Sequence, residues 1–257
     1  MRFMKELIRE GLSNLGLKVS RIKKEPWGID LFNDVSRLTS LNDIKVVFDV
    51  GANVGQSRNL YLKKFSSSKI FSFEPVISTF KILEETNPNT NKSFCYNLAL
   101  GETTEKIKIP LQEKSTQNSL SKKRNENSNP IYNLEEIQVD TLDNIVQKID
   151  IDYIDFLKID TEGFEMEVLK GASNYLKSKK VGFILLELGI KYHPRTTFYN
   201  SIQEYLSRLG YDVVGFYKQS QSLYTKGRFL MHCDVLFINS EWSKTLRPKF
   251  VKSFEYE

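Results

Sequence analysis

Cysteine and histidine are scarce in this chain, with Cys95 and Cys233 the only cysteines and just two histidines among 257 residues. So small a supply builds neither a zinc-type ligand cluster nor a disulfide framework, so the reading is no metal and no stapled secreted domain. Long apolar runs are missing as well. The N-terminus, Met1-Arg2-Phe3-Met4-Lys5-Glu6-Leu7-Ile8-Arg9-Glu10, interrupts its apolar residues with charge before a signal-type segment can form, so a cytoplasmic location is expected, with no membrane span. Basic blocks with interleaved aromatics are absent, and the net charge of +5 is mild, so nucleic acid is not the expected partner. No internal repeat or heptad array is present.

What remains is ordinary for a soluble globular chain, at 40% hydrophobic and 27% charged residues, and the length suits one large domain with a short extension. The division expected is an N-terminal helical extension over 1–40, a catalytic domain over 41–240 and a tail over 241–257. Phe3, Leu7, Ile8, Leu12 and Leu15 recur at helical spacing. They predict an amphipathic helix packed on the body, with peripheral membrane contact or a partner helix as the alternative.

From Ile44 onward apolar runs alternate with helical stretches, the pattern of βα units around a mostly parallel sheet. Strands are expected over 45–50, 69–74, 93–98, 153–159 and 182–188, and helices starting near Val54, Ile77, Gly163 and Asn200. Residues 211–217 and 233–239 read as strands with no helix between them, hence an antiparallel pair at one sheet edge. Residues 110–133, rich in Ser, Asn, Gln, Lys and Glu, predict a long surface excursion that is either a lid or a passive loop.

The most informative stretch is Val46-Val47-Phe48-Asp49-Val50-Gly51-Ala52-Asn53-Val54-Gly55, an apolar strand entering a glycine-marked turn and then a helix. Open α/β sheets bind nucleotide-like cofactors at such turns. The second glycine of a dinucleotide fingerprint is replaced by Ala52-Asn53, and Asp49 would repel a pyrophosphate. A ligand with a cationic, amino-acid end suits the loop better, and S-adenosylmethionine is such a ligand. Glu74 ends the next strand, placed as a ribose-binding carboxylate would be. Asn97 ends the third, near where an adenine would lie. An NAD(P)-dependent oxidoreductase and a non-catalytic cofactor- or nucleic-acid-binding module stand as alternatives.

A second chemical segment, Leu157-Lys158-Ile159-Asp160-Thr161-Glu162-Gly163-Phe164-Glu165, runs from a buried strand into a helix. Ligands of open sheets sit at the carboxyl ends of strands, so Lys158, Asp160 and Glu162 fall where chemistry would occur. His193 and Arg195 follow the fifth strand, His193 with a titration range suited to proton transfer and Arg195 with a charge that could hold an acidic sugar.

Asp49 to Gly55, Phe73-Glu74-Pro75, Asn97 to Gly101, Asn118-Ser119-Leu120, Val139 to Asp143, and Leu157 to Glu165 followed by Val168-Leu169-Lys170-Gly171 occur in this order. The ordered set resembles the FkbM-type family of S-adenosylmethionine-dependent methyltransferases. The resemblance implies a class I methyltransferase fold: a Rossmann-like, mostly parallel seven-stranded sheet with an antiparallel final strand. It also implies O-methylation of a sugar, glycan or related natural product. On it, Asp49, Gly51, Ala52, Asn53 and Gly55 would form the methionine-arm loop, Glu74 the ribose acid and Asn97 a neighbour of the adenine. Asp160 and Glu162 would be the acids beside the transferred methyl, Asp160 the first candidate base and Glu162 the second, with His193 also catalytic. Lys158 and Arg195 would orient the substrate.

Overall fold

The computed structural model describes residues 12, 25–88, 91–110, 134–191, 196–221 and 229–245. The expected His193, Arg195, most of the amphipathic N-terminal segment and all of the 110–133 stretch except Pro110 lie outside these residues.

Seven strands form the main sheet: β1 (Val46–Val50), β2 (Lys69–Phe73), β3 (Ser93–Tyr96), β7 (Ile154–Ile159), β8 (Val181–Gly189), β9 (Tyr211–Gln221) and β10 (Leu230–Asn239). Their order is β3-β2-β1-β7-β8-β10-β9. All neighbours are parallel except β10, which runs antiparallel to both β8 and β9. This is the Rossmann-like sheet with a reversed final strand that the sequence predicts, and the 211–217 and 233–239 pair lies at the expected edge. Both faces of the parallel strands are covered, which is why they read as nearly unbroken apolar runs.

Alternation along each strand divides the core in two. Phe48, Val50, Leu157, Ile159, Ile184 and Leu186 face α5 (Glu165–Gly171), α6 (Ser173–Lys177) and α7 (Tyr199–Arg208), which contribute Val168, Leu169, Leu176, Ile202 and Leu206. Val47, Phe156, Phe183 and Leu236 face the other way, against Val35 of α1 (Leu31–Leu38) and Tyr61 of α2 (Gln56–Lys64), with Phe65 just beyond it. Helix α1 is held by its N-cap, where the Asp30 carboxylate accepts from Asn33 N at 2.9 Å. Buried Asp34 accepts from Tyr217 OH at 2.9 Å and pairs with Arg37 at 3.1 Å, which fixes α1 to β9.

Three further strands were not expected. β4 (Ala99–Leu100), β5 (Glu105–Pro110) and β6 (Leu134–Asp140) form a small sheet ordered β4-β6-β5. The sequences EKIKIP and LEEIQVD alternate charge with apolar residues and bury one face only, around Ile109, Ile137 and Val139, so they lack the continuous apolar signal of the main strands. β3 stops at Tyr96, two residues earlier than expected, and Pro110 belongs to β5. The helix expected near Gly163 is two short ones, α5 and α6, meeting at Ala172. Helices α3 (Ile77–Glu85), α4 (Leu142–Lys148) and α8 (Ser240–Thr245) complete the described elements.

The chain leaves β1 towards β2 and β3, then returns to build β7 and β8 on the other side. That reversal opens a crevice at the carboxyl ends of β1 and β7, the usual ligand position in such sheets.

Candidate active site

At the end of β1 the backbone turns at Gly51, with φ +74°, where a side chain is both strained and blocked. A Cβ there would stand 1.8 Å from the Asp160 carbonyl oxygen, so the two chemical segments of the sequence touch at this glycine. Gly51 N and Ala52 N donate to Phe73 O at 3.1 and 3.0 Å, tying the turn to β2. Gly55, with φ +95°, begins α2, and any Cβ on it would meet the Arg58 guanidinium at 2.6 Å. Arg58 is wholly buried and donates to Leu83 O and Thr86 O at the end of α3, so the loop is braced from behind.

Glu74 closes the loop from β2. Its carboxylate accepts from Asn53 N at 3.1 Å and from Val76 N at 3.0 Å. Burial pushes its carboxyl up to about 7, and those two N–H groups only partly offset the burial. Each oxygen keeps a free lone pair for a hydroxyl donor.

Asp49 stands beneath the loop. It is fully buried, accepts from Ser57 Oγ at 2.6 Å and pairs with Lys158 Nζ at 3.2 Å. Lys158 also pairs with Asp160 at 3.4 Å and donates to Gly51 O at 3.0 Å, so its ammonium joins β1, the turn and β7. Burial alone would lower its pKa, yet the two carboxylates outweigh burial and keep it charged. Buried between Asp49, Asp160 and the Gly51 carbonyl, Lys158 is placed as an organiser of the loop more than a hand for substrate.

The segment after β7 is held by Glu165, which is 1% exposed. Its carboxylate accepts from Thr161 N at 2.9 Å, Thr161 Oγ and Gly163 N both at 3.1 Å, and Thr197 Oγ. Asp160 and Glu162 are thereby presented on a fixed turn, with Glu162 at φ 54°.

A cavity of about 720 Å³ gathers these parts. Gly51, Ala52, Asn53, Glu74, Lys158, Asp160 and Glu162 all line it, whereas Gly55 and Asp49 support it from outside. Asn97 does not line it; its amide donates to Glu74 O at 3.0 Å and Pro75 O at 2.8 Å, so it shapes the β2 turn. Leu98, together with Ala99, Leu100 and Ile109 of the small sheet, supplies an apolar wall.

Two acids in the cavity escape sequence reasoning. Glu187 near the end of β8 is paired in register with Asp234 of β10, and both face the cavity. Burial first, then the neighbouring charges of Asp160, Asp234 and Glu162, push the Glu187 carboxyl up to about 8. His232 Nδ1 lies 3.1 Å from Glu187, and Lys218 lies 2.7 Å from Asp234. A lone acid ending the apolar strand VGFILLELG is the available signal for Glu187; the cross-strand register that adds Asp234 has no signal. Residues 29–32 also line the cavity, bringing α1 to its mouth.

A profile of the methyltransferase FkbM domain matches residues 49–213, from the acid under the loop to the start of β9. The chain belongs to the FkbM methyltransferase family. Hexuronic acid methyltransferase AglP of Haloferax volcanii is 28% identical over 151 residues, which are 58% of this chain and 58% of that protein. The chain thus aligns with little more than half of that relative's length. Among solved structures, precorrin-6y C5,15-methyltransferase of Geobacter metallireducens gives a TM-score of 0.41 at 12% identity, covering 80% of this chain and 85% of that one. An rRNA methylase of Streptococcus thermophilus gives 0.43 at 10%, covering 81% and 93%. Likenesses of that size carry no weight for activity. Family membership gives this chain a methyltransferase domain, which displaces the oxidoreductase alternative. Among the described residues no helix is long and apolar enough to cross a membrane, and no group of three or more His, Cys, Asp or Glu side chains is arranged to hold a metal ion.

Proposed function

We propose that this FkbM protein transfers a methyl group to a hydroxyl of a sugar or glycan. The observation that supports the reading is the contact of Gly51 with Asp160, which brings the glycine turn after β1 and the acids that follow β7 to one cavity. The hexuronic acid named for the Haloferax relative supports a sugar as acceptor. S-adenosylmethionine brings a methyl carbon already activated by its sulfonium. The residues fit such a cofactor: Gly51, Ala52 and Asn53 would hold the methionine arm, Glu74 the ribose hydroxyls, and the wall of Leu98 to Leu100 the adenine. Asp49 and Lys158 would act through the loop they brace.

The protein's part is alignment and proton removal. Asp160 would take the proton of the acceptor hydroxyl. Glu187, hydrogen-bonded to it, would be protonated at neutral pH and so offer a donor to Asp160, leaving that carboxylate free of a second negative neighbour. Glu162 would orient the acceptor.

Labelled methyl transfer to candidate glycans tests the reading alongside titration with S-adenosylhomocysteine. Asp160→Asn should keep S-adenosylhomocysteine affinity within about threefold and lose turnover by about 10²-fold or more, the usual scale of general-base removal. Full turnover in that variant would take the base role from Asp160.

A further inference from the structure

We infer that Lys218 binds the acceptor by holding an anionic oxygen group of the sugar, a carboxylate or a phosphate, an inference that rests on the sugar reading above. The residue lies beyond 49–213, so the family profile does not reach it. What singles it out is the backbone. Asp234 is paired with Tyr217 and His232 with Ser220, so between these pairs the single residue Cys233 of β10 faces two of β9, Lys218 and Gln219. That is a β-bulge, and Lys218 occupies it at φ 44°, a left-handed conformation that such bulges ordinarily give to glycine. The bulge decides where the lysine points. Side chains alternate along a regular strand, so with Tyr217 opposite Asp234 an unbroken β9 would send Lys218 to the other face. Instead Tyr217, Lys218 and Asp234 all line the cavity, and Lys218 Nζ lies 2.7 Å from Asp234. Strained backbone and bulges that re-aim a side chain both collect at ligand sites, and here they bring an ammonium into the cavity.

That ammonium is open to a second partner. The Lys218 side chain is 77% exposed, whereas that of Lys158 in the same cavity is 10% exposed and already shared by Asp49 at 3.2 Å and Asp160 at 3.4 Å. Lys158 thus shows one ammonium seated between two carboxylates. Lys218 has Asp234 on one side to fix its direction, and solvent over most of its surface. An ammonium donates and never accepts, so its second partner is an oxygen with lone pairs. A carboxylate or phosphate adds to the hydrogen bond a Coulomb attraction that a neutral hydroxyl lacks, and the attraction grows as the ligand displaces water.

The test uses the full chain saturated with S-adenosylhomocysteine at pH 7.5, titrated with a methyl hexopyranoside, the same sugar oxidised at C6 to the uronate, and the same sugar phosphorylated at O6. One or both anionic sugars should bind about tenfold more tightly than the neutral one, the scale of a hydrogen bond to a charged group, and which of them does so names the group. Lys218→Gly should remove that preference to within about twofold and leave S-adenosylhomocysteine affinity unchanged. Its urea midpoint should stand at or above wild type, since glycine relieves the bulge. A merely structural lysine predicts the reverse, a lower midpoint with the sugar preference intact, and that result overturns the inference. Lys218→Met, which keeps the strain but not the charge, should lose the preference too, and covers a folding failure of the glycine variant. Lys218→Arg should retain most of it. No preference in wild type, or an unchanged one in a folded glycine or methionine variant, also overturns the inference. If S-adenosylhomocysteine binds but none of the three sugars does, the sugar reading itself falls and takes this inference with it.

Discussion

Gly51→Ala is the sharpest probe of the site, because one methyl group tests both halves of it. The new Cβ would lie 1.8 Å from the Asp160 carbonyl oxygen, whereas ordinary contact is 3.4–4 Å. Something must therefore retreat by roughly 1.5 Å to restore contact distance. The turn cannot simply swing away, since Gly51 N and Ala52 N are bonded to Phe73 O and Gly51 O to Lys158. Left-handed backbone at a non-glycine residue costs about 1–2 kcal/mol and overpacking of a tight site about 1–3 kcal/mol. The expected loss of stability is thus about 2–5 kcal/mol. A shift of that size also displaces Asp160, and misplacement by about 1 Å can cost 10²-fold in rate. Urea denaturation would give the first quantity and calorimetry with S-adenosylhomocysteine the effect on the loop. An alanine variant within 1 kcal/mol of wild type that also binds S-adenosylhomocysteine within threefold would refute the claimed contact.

Two further outcomes follow from named groups. Glu165→Ala removes the acceptor for Thr161 N, Gly163 N and two hydroxyls, so it should cost about 3–5 kcal/mol, whereas Glu165→Gln, which keeps an acceptor oxygen, should cost less than half of that. Urea midpoints of the two variants check this, and equal losses would count against the role of those bonds. The raised carboxyl of Glu187 means that the folded state prefers its neutral form, so its contribution to stability is complete below the unfolded value of 4.5 and is lost as pH rises towards 8. With its side chain 38% exposed, the slope should be about 0.5 kcal/mol per pH unit, well under the 1.4 of a wholly buried group. The difference in stability between wild type and Glu187→Gln, followed from pH 5 to 9, should show this slope and flatten above 8. A difference independent of pH would remove Glu187 as the titrating group.

Much of the fold was legible because its strands are buried on both faces. Uninterrupted apolar runs, a glycine turn and the acids after it need no tertiary information to be noticed. The small sheet was not legible, since Glu105–Pro110 and Leu134–Asp140 are covered on one side only and alternate with charge. Helix α1 was assigned to an extension, yet Val35 is fully buried on the sheet and residues 29–32 reach the cavity. Its length and caps are local properties, but its docking depends on Asp34 meeting Tyr217, a residue 183 positions away.

By itself, then, the sequence determined the glycine turn after β1 and the acids at the strand ends, because glycine conformation and strand-end placement are local constraints that a short stretch of chain can express. Tertiary structure decided the roles. Lys158 became a brace because β1 and β7 lie side by side in register, placing Asp49 opposite it. Glu187 and Asp234 came to line the cavity together because β10 runs back antiparallel along β8 and sets them across from each other. Pairing across strands depends on which segments the packing brings together, and no spacing along the chain encodes it.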